Sequence, residues 1–512
     1  MKKTIPVILL SLVCISCYHS SDYQYITQQQ VNDLVNASSL DIPCISLPTI
    51  PDKTFNVLDY GAKNDGSELS TVAIQNTIDL ARKSGGGTVL IPAGVYLTGP
   101  IVLRSNVRLY TEYNALVVFS SDCSLYPIVD AVFEGVDTKR CQSPISAYNA
   151  ENIAICGHGT FNASGDAWRP LKRSKVTAKQ WQKHIKEGGV VSEDGNTWYP
   201  DSSAMYAQTL CVDQNVPVNV ADWDSIHTFL RPVLLNLVNC KNVLLEGVCF
   251  ENSPAWNLHP LMCENVVLNE LTVRNPWYSQ NGDGVDVESC KNVLINRCSF
   301  DVGDDAICMK SGKNEDGRRR AMPTENVLVN ACTVYHGHGG FVVGSEMSGD
   351  VRNVEVSNCL FIGTDVGLRF KSTRGRGGIV ENIYISGVNM AAIENDALTF
   401  DLFYGGKGAG EETEDEIAAR MASEVPPVTV ETPRFRNITI ENTICKGAKR
   451  AIYFNGLPEM NIQNVSLNNI RMQAEKGAFF RYTDGLTLND VQVTAQEGDS
   501  MNFVEVKNVS QR

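Results

Sequence analysis

A short unit recurs along this chain: an asparagine, a Val or Ile, alternating apolar residues, then a small residue or cysteine. It appears as Asn106-Val-Arg-Leu, Asn152-Ile-Ala-Ile, Asn242-Val-Leu-Leu, Asn265-Val-Val-Leu, Asn292-Val-Leu-Ile, Asn326-Val-Leu-Val, Asn353-Val-Glu-Val, Asn382-Ile-Tyr-Ile, Asn437-Ile-Thr-Ile and Asn464-Val-Ser-Leu. From Asn242 onward the intervals are 23, 27, 34, 27 and 29 residues, then 55 (two coils), then 27. Apolar segments this brief and β-branched read as strands, not helices. A period of this size with about three strands per turn specifies an all-β chain, a single-domain right-handed parallel β-helix. Length alone would suggest several domains for 512 residues, but stacked coils form one unit however many there are. The repeated asparagines are expected to ladder their amides at the turns.

The remaining segments fit around that coil. Lys2 and Lys3 precede the apolar run Ile5–Val13, which is too short to span a bilayer. Residues 1–17 read as an export signal whose end, Cys14-Ile-Ser-Cys17, has the form of a lipobox with Cys17 lipidated. That points to an outer-membrane lipoprotein of a Gram-negative bacterium, periplasmic or at the cell surface, whose only contact with the membrane is this lipid. Residues 18–45 are polar and read as a tether, leaving 46–512 as the β-helix domain. A helix is expected over about 70–82, with Ala73, Ile74, Thr77, Ile78 and Ala81 on one side and Gly85-Gly-Gly87 ending it. It would cap the open end of the solenoid. Residues 165–232 interrupt the repeat with Trp168, Trp181, Trp198 and Trp223, and 312–323 and 404–433 interrupt it again. Such insertions emerge as loops, often on a binding face. Many of the 16 cysteines fall at matching points of the repeat and read as small fillers of a packed ladder, not as metal ligands.

A net charge of −14 argues against nucleic acid as a partner. One run opposes the balance: Arg169, Lys172, Arg173, Lys175, Lys179, Lys183 and Lys186 have no acid among them. It is either a solvated helix face or the rim of a site for an anionic polymer.

Three aspartates carry the chemistry. Asp283 opens a run ending at Ser289, and Asp305 opens one ending at Ser311. Aligning the serines puts both in one slot of consecutive coils, with Asp304 beside them. Neighbouring strands lie about 4.8 Å apart, so the carboxylates should crowd into one negative site and share a proton. Two carboxyls flanking a glycosidic bond can hydrolyse it, and a separation of about 6.5–9.5 Å leaves room for a water and inverts the anomeric centre. Asp304 is the candidate general acid; Asp283 and Asp305 would hold and activate the water. His338 falls 12 residues after Asn326, as Asp304 falls 12 after Asn292, so it should lie beside the acid; His336 lacks that offset. Arg369 and Lys371, two apart on a strand one coil on, point the same way. They can neutralise the cluster or grip a carboxylate. Trp256, His259, Trp277 and Tyr278 could stack on sugar rings or simply pack.

Asn281-x-Asp283, Asp304-Asp305, Gly337-His338-Gly339 and Arg369-x-Lys371, in that order on a β-helix, resemble the four signatures of the polygalacturonases, glycoside hydrolase family 28, in their exo-acting bacterial form. The resemblance covers about residues 55–505 and implies a pectin-lyase-like solenoid. It implies inverting hydrolysis of α-1,4 bonds between galacturonic acids in pectin without metal or other cofactor, on an anionic pectic polysaccharide or oligogalacturonide, by a monomer. By position, Asp304 becomes the acid, Asp283 and Asp305 the bases, Arg369 and Lys371 the carboxylate binders, and Asn281 a support. Gly282 replaces the family's usual Thr, Phe370 its usual Ile, and an extra residue follows the His-Gly step. Two alternatives stay open: a hydrolase of galacturonosyl bonds in rhamnogalacturonan, and a calcium-dependent pectate lyase on the same fold.

Overall fold

The computed structural model describes residues 25–213, 215–404 and 425–512. From Thr54 to the C-terminus the chain winds as a right-handed parallel β-helix of three ladders. Along one ladder Leu235–Val238, Leu258–Leu261, Val285–Glu288, Asp305–Lys310, Gly339–Val343 and Val366–Lys371 pair in parallel, each with the next. A second ladder runs through Lys241–Glu246, Glu264–Asn269, Lys291–Asn296, Thr324–Asn330 and Val351–Ser357. The third is made of shorter strands such as Thr272–Arg274 and Ser299–Asp301.

The asparagine unit makes the bend between the first two ladders. All ten asparagines lie in the left-handed region, with φ between 52° and 63°. Asparagine tolerates that conformation because its short amide bonds locally. Each Nδ2 from Asn152 to Asn382 donates to the Oδ1 of the asparagine one coil earlier, at 3.0–3.3 Å. Inside the coil, alternate residues stack on like residues of the next rung. Phe370, Phe400, Phe454 and Phe480 form such a column, with ring centroids 4.4–5.1 Å apart. Aromatic contacts of this kind add about 0.5–1.5 kcal/mol each beyond area burial. The cysteines behave as fillers: the Cys240 amide meets Cys263 Sγ and the Cys263 amide meets Cys290 Sγ, at 3.4 and 3.3 Å.

The helix Thr71–Lys83 covers the open end, burying Ile74, Thr77, Ile78 and Ala81, and three glycines with positive φ follow it. The segment expected to be a tether differs over its described part, 25–45. The helix Gln28–Asn36 has a capping box on Thr27 and Gln30, and it buries Val31 and Val35. With Ile42 and Ile45 these residues pack on Ala154, Leu244, Val267, Leu294 and Leu328, the outward apolar residues of the second ladder. A polar composition concealed four apolar residues with an apolar surface to cover. The export and lipid assignments at 1–17 lie outside the described residues, as do 405–424 of the 404–433 insertion. Among the described residues no helix is long and apolar enough to cross a membrane.

The insertion 165–232 folds onto the coil as small helices and short antiparallel strands. Its helix Ala178–Glu187 starts at a second capping box, on Thr177 and Gln180. A second hairpin, Ile128–Phe133 with Val136–Cys141, was not legible in the repeat pattern. Its tip accepts the Lys313 amide on the Gly135 carbonyl, and Glu134 accepts the side chain of Asn215 at 2.8 Å.

Candidate active site

The register of the first ladder builds the site. Asp305 pairs with Gly339, and Gly339 with Val366. Continuing that register one residue back aligns Asp304, His338 and Asp365 in one column. The 22-residue offset from Val285 to Ile307 likewise aligns Asp283 with Asp305. The serine alignment is therefore the true register, and one oxygen from each of Asp283, Asp304 and Asp305 lies within 4.8 Å of the others. That is closer than the 6.5–9.5 Å expected for an inverting pair, because residues in one slot of adjacent rungs are about as close as the strands that carry them.

His338 Nδ1 lies 3.1 Å from Asp304 Oδ1, and its Nε2 lies 3.6 Å from Asp365 Oδ2. Asp365 went unnoticed in the sequence, although it stands one residue before the strand that aligns with Asp305. His336 points elsewhere and pairs with Asp301 at 2.8 Å. Arg369 Nη1 and Lys371 Nζ reach Asp305 at 3.3 and 2.7 Å, one on each carboxylate oxygen. Both cations also face the Tyr404 ring, where the 404–433 insertion begins. Asn281 accepts from Asn215 at 3.1 Å and from Arg231 at 3.0 Å, so the long insertion holds it from behind. Gly282 is explained by its neighbour: a Cβ there would collide with the Ser279 hydroxyl.

Electrostatics divides the three carboxyls differently from the sequence expectation that Asp304 keeps the proton. Burial works against ionising Asp304, but the His338 charge and hydrogen bond, with Lys371 and Arg369, hold its carboxyl well below the usual range. His338 in turn is raised, by Asp304 first and against its burial. Asp283 is pushed well up, first by burial and then by Asp286 and Asp304, with Lys310 opposing. Its Oδ1 is buried without a hydrogen-bond partner, as are both oxygens of Asp286. In the free protein a proton is favoured on Asp283 and its neighbour Asp286, both raised first by burial, and on the imidazole of the Asp304–His338 pair. The reason is position: Asp304 faces three cations, whereas Asp283 is raised first by burial and then by the carboxylates of Asp286, Asp304 and Asp305, with Lys310 opposing.

Behind the aspartates lies a charged layer that the sequence reading missed. Lys310 Nζ lies 2.8 Å from Glu346 and 3.6 Å from Asp286, and His259 pairs with Glu288 at 2.9 Å, all buried. The alternation of Asp286-Val-Glu288 against Cys308-Met-Lys310 on paired strands was the available signal. Of the four aromatic candidates, Trp256 and His259 are buried and pack together. Trp277 and Tyr278 line a cavity of about 360 Å³ with Asn281, Gly303, Asp304 and His338. The opposite wall comes from the long insertion, through Lys172, Lys175, Thr197, Tyr199, Gln208 and Asn215. Within the basic run, Arg169 is buried and bonded to Asp166 and to the Ser253 carbonyl, a structural role.

Comparison with known proteins agrees with this architecture. The family model "Glycosyl hydrolases family 28" matches residues 226–418, the segment that holds all seven candidate site residues. A second model, described as rhamnogalacturonase A/epimerase, pectate lyase-like, matches residues 54–186. A protein named "Probable polygalacturonase" from Vitis vinifera is 28% identical over 349 residues, 66% of this chain and 61% of its own length. The exo-poly-alpha-D-galacturonosidase of Dickeya chrysanthemi is 27% identical over 432 residues, 83% of this chain and 69% of its own. The chain thus spans about three fifths to two thirds of these relatives' length. The solved hyperthermoactive exopolygalacturonase of Thermotoga maritima is 29% identical and superposes with a TM-score of 0.69, covering 89% of this chain and 94% of that one. A family 28 exopolygalacturonase from Yersinia enterocolitica, 23% identical with a TM-score of 0.69, shares the fold.

Proposed function

Residues 226–418 match the model of glycosyl hydrolases family 28, and from that match we propose that the chain is a member of the family and hydrolyses α-1,4-galacturonosidic bonds of pectin from a chain end. The observation that carries this reading is the set of three aspartates within 4.8 Å, with one imidazole and two cations on them, of which Asp304 and His338 line the cavity.

In this reading a substrate carboxylate engages Arg369 and Lys371. Doing so draws away positive charge that keeps Asp304 ionised, and the proton on His338 Nδ1 passes to Asp304. Asp304 delivers it to the glycosidic oxygen as the C1–O bond breaks. A water held by Asp283 attacks C1, and its proton goes to Asp305. Asn281 supports the loop at the bond. With attack and departure on opposite faces the anomeric centre inverts, an outcome that follows from family membership and not from the carboxylate separation. Proton NMR of the first product formed tests it: β-configured product supports inversion, and α-configured product refutes it.

End-on action is supported by the wall. An open groove would admit the middle of a polymer, whereas residues of the 165–232 insertion stand across the cavity from Trp277 and Asp304. Products from defined oligogalacturonides give the test. Monomer alone supports exo action on homogalacturonan, early mixed oligomers mean an endo enzyme, and cleavage of rhamnogalacturonan oligosaccharides alone moves the substrate to branched pectin. A calcium-dependent lyase would instead make ultraviolet-absorbing ends and stop with chelator. Against that alternative, His338 already pairs with Asp304 and Arg369 and Lys371 with Asp305, two of the three aspartates a calcium ion would need.

We place the enzyme outside the cytoplasm as a monomer, held to the outer membrane through lipid on Cys17. Labelling with radioactive palmitate should mark the wild type and not Cys17→Ala.

A further inference from the structure

The insertion brings more to the cavity than a wall. Lys172 sits on a short strand paired to Thr197, and Lys175 ends the single 3-10 turn that follows it. Both line the cavity that ends at Asp304 and His338. Among the described residues neither has a carboxylate within ion-pair distance, whereas Lys183 of the same run pairs with Glu187. Lys175 Nζ lies 5.7 Å from the centre of the Trp277 ring. Trp277 is 55% exposed, while Trp168, Trp181, Trp198 and Trp256 are all buried. Its neighbour Tyr278 packs on Leu171, Trp181 and Trp198 of the insertion, which ties the two walls together.

An exposed indole with the Lys175 ammonium over it, and Lys172 on the same cavity, suits one ligand chemistry. A pyranose offers an apolar C–H face to the ring, and a uronate adds a carboxylate for the lysines. Resting on the hydrolase reading above, we propose that Lys172, Lys175 and Trp277 form a second sugar subsite that takes an unesterified galacturonate adjacent to the bond being cut. The site then selects by charge one sugar away from the chemistry, and a methyl ester or a neutral sugar at that place binds poorly. Because the ammonium groups lie at the cavity rim, their contribution is screened by salt.

The test is steady-state kinetics on trigalacturonate with Lys172→Ala/Lys175→Ala, Lys172→Arg/Lys175→Arg, Trp277→Ala and Lys179→Ala. The alanine pair and Trp277→Ala should each raise KM about tenfold with kcat nearly retained, a tenfold change being ~1.4 kcal/mol. The arginine pair should restore most of the loss. Lys179→Ala, on the outer helix, removes a charge from the same run and should change nothing. A KM unaltered in the alanine pair, or raised equally by Lys179→Ala, overturns the subsite. If the wild type leaves trigalacturonate intact, the hydrolase reading falls instead. Calorimetry of trigalacturonate into the Asp304→Asn protein still reads the subsite, and equal Kd with and without the two lysines refutes it.

Discussion

Asp304 and His338 stand in one slot of consecutive rungs, joined Nδ1 to Oδ1 at 3.1 Å, so two residues 34 apart in sequence act as one proton-holding pair. Asp304 is depressed and His338 raised, and the pair therefore carries one proton throughout the range between them. Activity should be lost as pH rises through the raised value of His338, above the ordinary 6.5. In His338→Gln the alkaline limb of kcat/KM against pH should move toward the carboxylate range, because Asp304 must then hold the proton unaided. Asp304→Asn should lower kcat by about 10²–10⁴, the usual worth of a general acid, and should also lower the unfolding midpoint at neutral pH, because the depressed carboxylate and raised imidazole stabilise the fold together.

Lys371 and Asp305 form a second pair, at 2.7 Å and almost fully buried. Removing Lys371 leaves Asp305 with Arg369 alone, at a cost approaching the about 3–5 kcal/mol of a broken buried pair. Lys371→Ala should therefore unfold at markedly lower urea concentration than the wild type as well as losing activity. The double variant Asp305→Asn/Lys371→Met should regain much of that stability and none of the turnover. Additive losses in the double-mutant cycle would show that the two side chains do not interact.

Asp283 points to stability given up for function. Its carboxyl is buried, its Oδ1 lacks a partner and its pKa is raised well above 3.8. A raised acid binds its proton more tightly in the folded state than in the unfolded one. The stability this confers is complete below the unfolded value and is lost as pH climbs toward the folded one. Asp283→Asn removes that loss, so it should abolish turnover while stabilising the fold by about 0.5–2 kcal/mol at neutral pH. The gain should shrink toward pH 4, and chemical denaturation at several pH values measures it.

The repeat made the coil legible, and the coil made the site legible. Once Asn292 and Asn326 mark equivalent points, Asp304 and His338 must be neighbours, and the serine alignment does the same for Asp283 and Asp305. What the repeat does not govern stayed hidden. The hairpin Ile128–Cys141 has no unit of its own, and the docking of Val31 and Val35 depends on an apolar patch of the second ladder rather than on local pattern. The protonation states lie beyond the repeat for a similar reason. Register tells which residues meet, but the sign of a pKa shift depends on every charge around them, and Lys310, Asp286 and Glu346 were not in view. Asp365 could have been found, since it occupies the same slot as His338 one rung further on.

The asparagine ladder can be tested apart from catalysis. Asn292 lies mid-stack at φ 59°, donating to Asn265 at 3.3 Å and accepting from Asn326 at 3.0 Å. Asn292→Ala forces a Cβ into the left-handed region without a compensating amide, at about 1–2 kcal/mol for the backbone, and it removes two hydrogen bonds of about 1 kcal/mol each. Asn292→Gly loses the same bonds but relieves the backbone. The glycine variant should therefore unfold between the wild type and the alanine variant, the two variants differing by about the backbone cost alone. Because this bend faces away from the aspartates, both should keep wild-type kcat on oligogalacturonides at a temperature where they remain folded. If alanine proves no worse than glycine in urea titrations, the left-handed bend is not what selects asparagine at each coil, and the ladder of amides must carry the preference by itself.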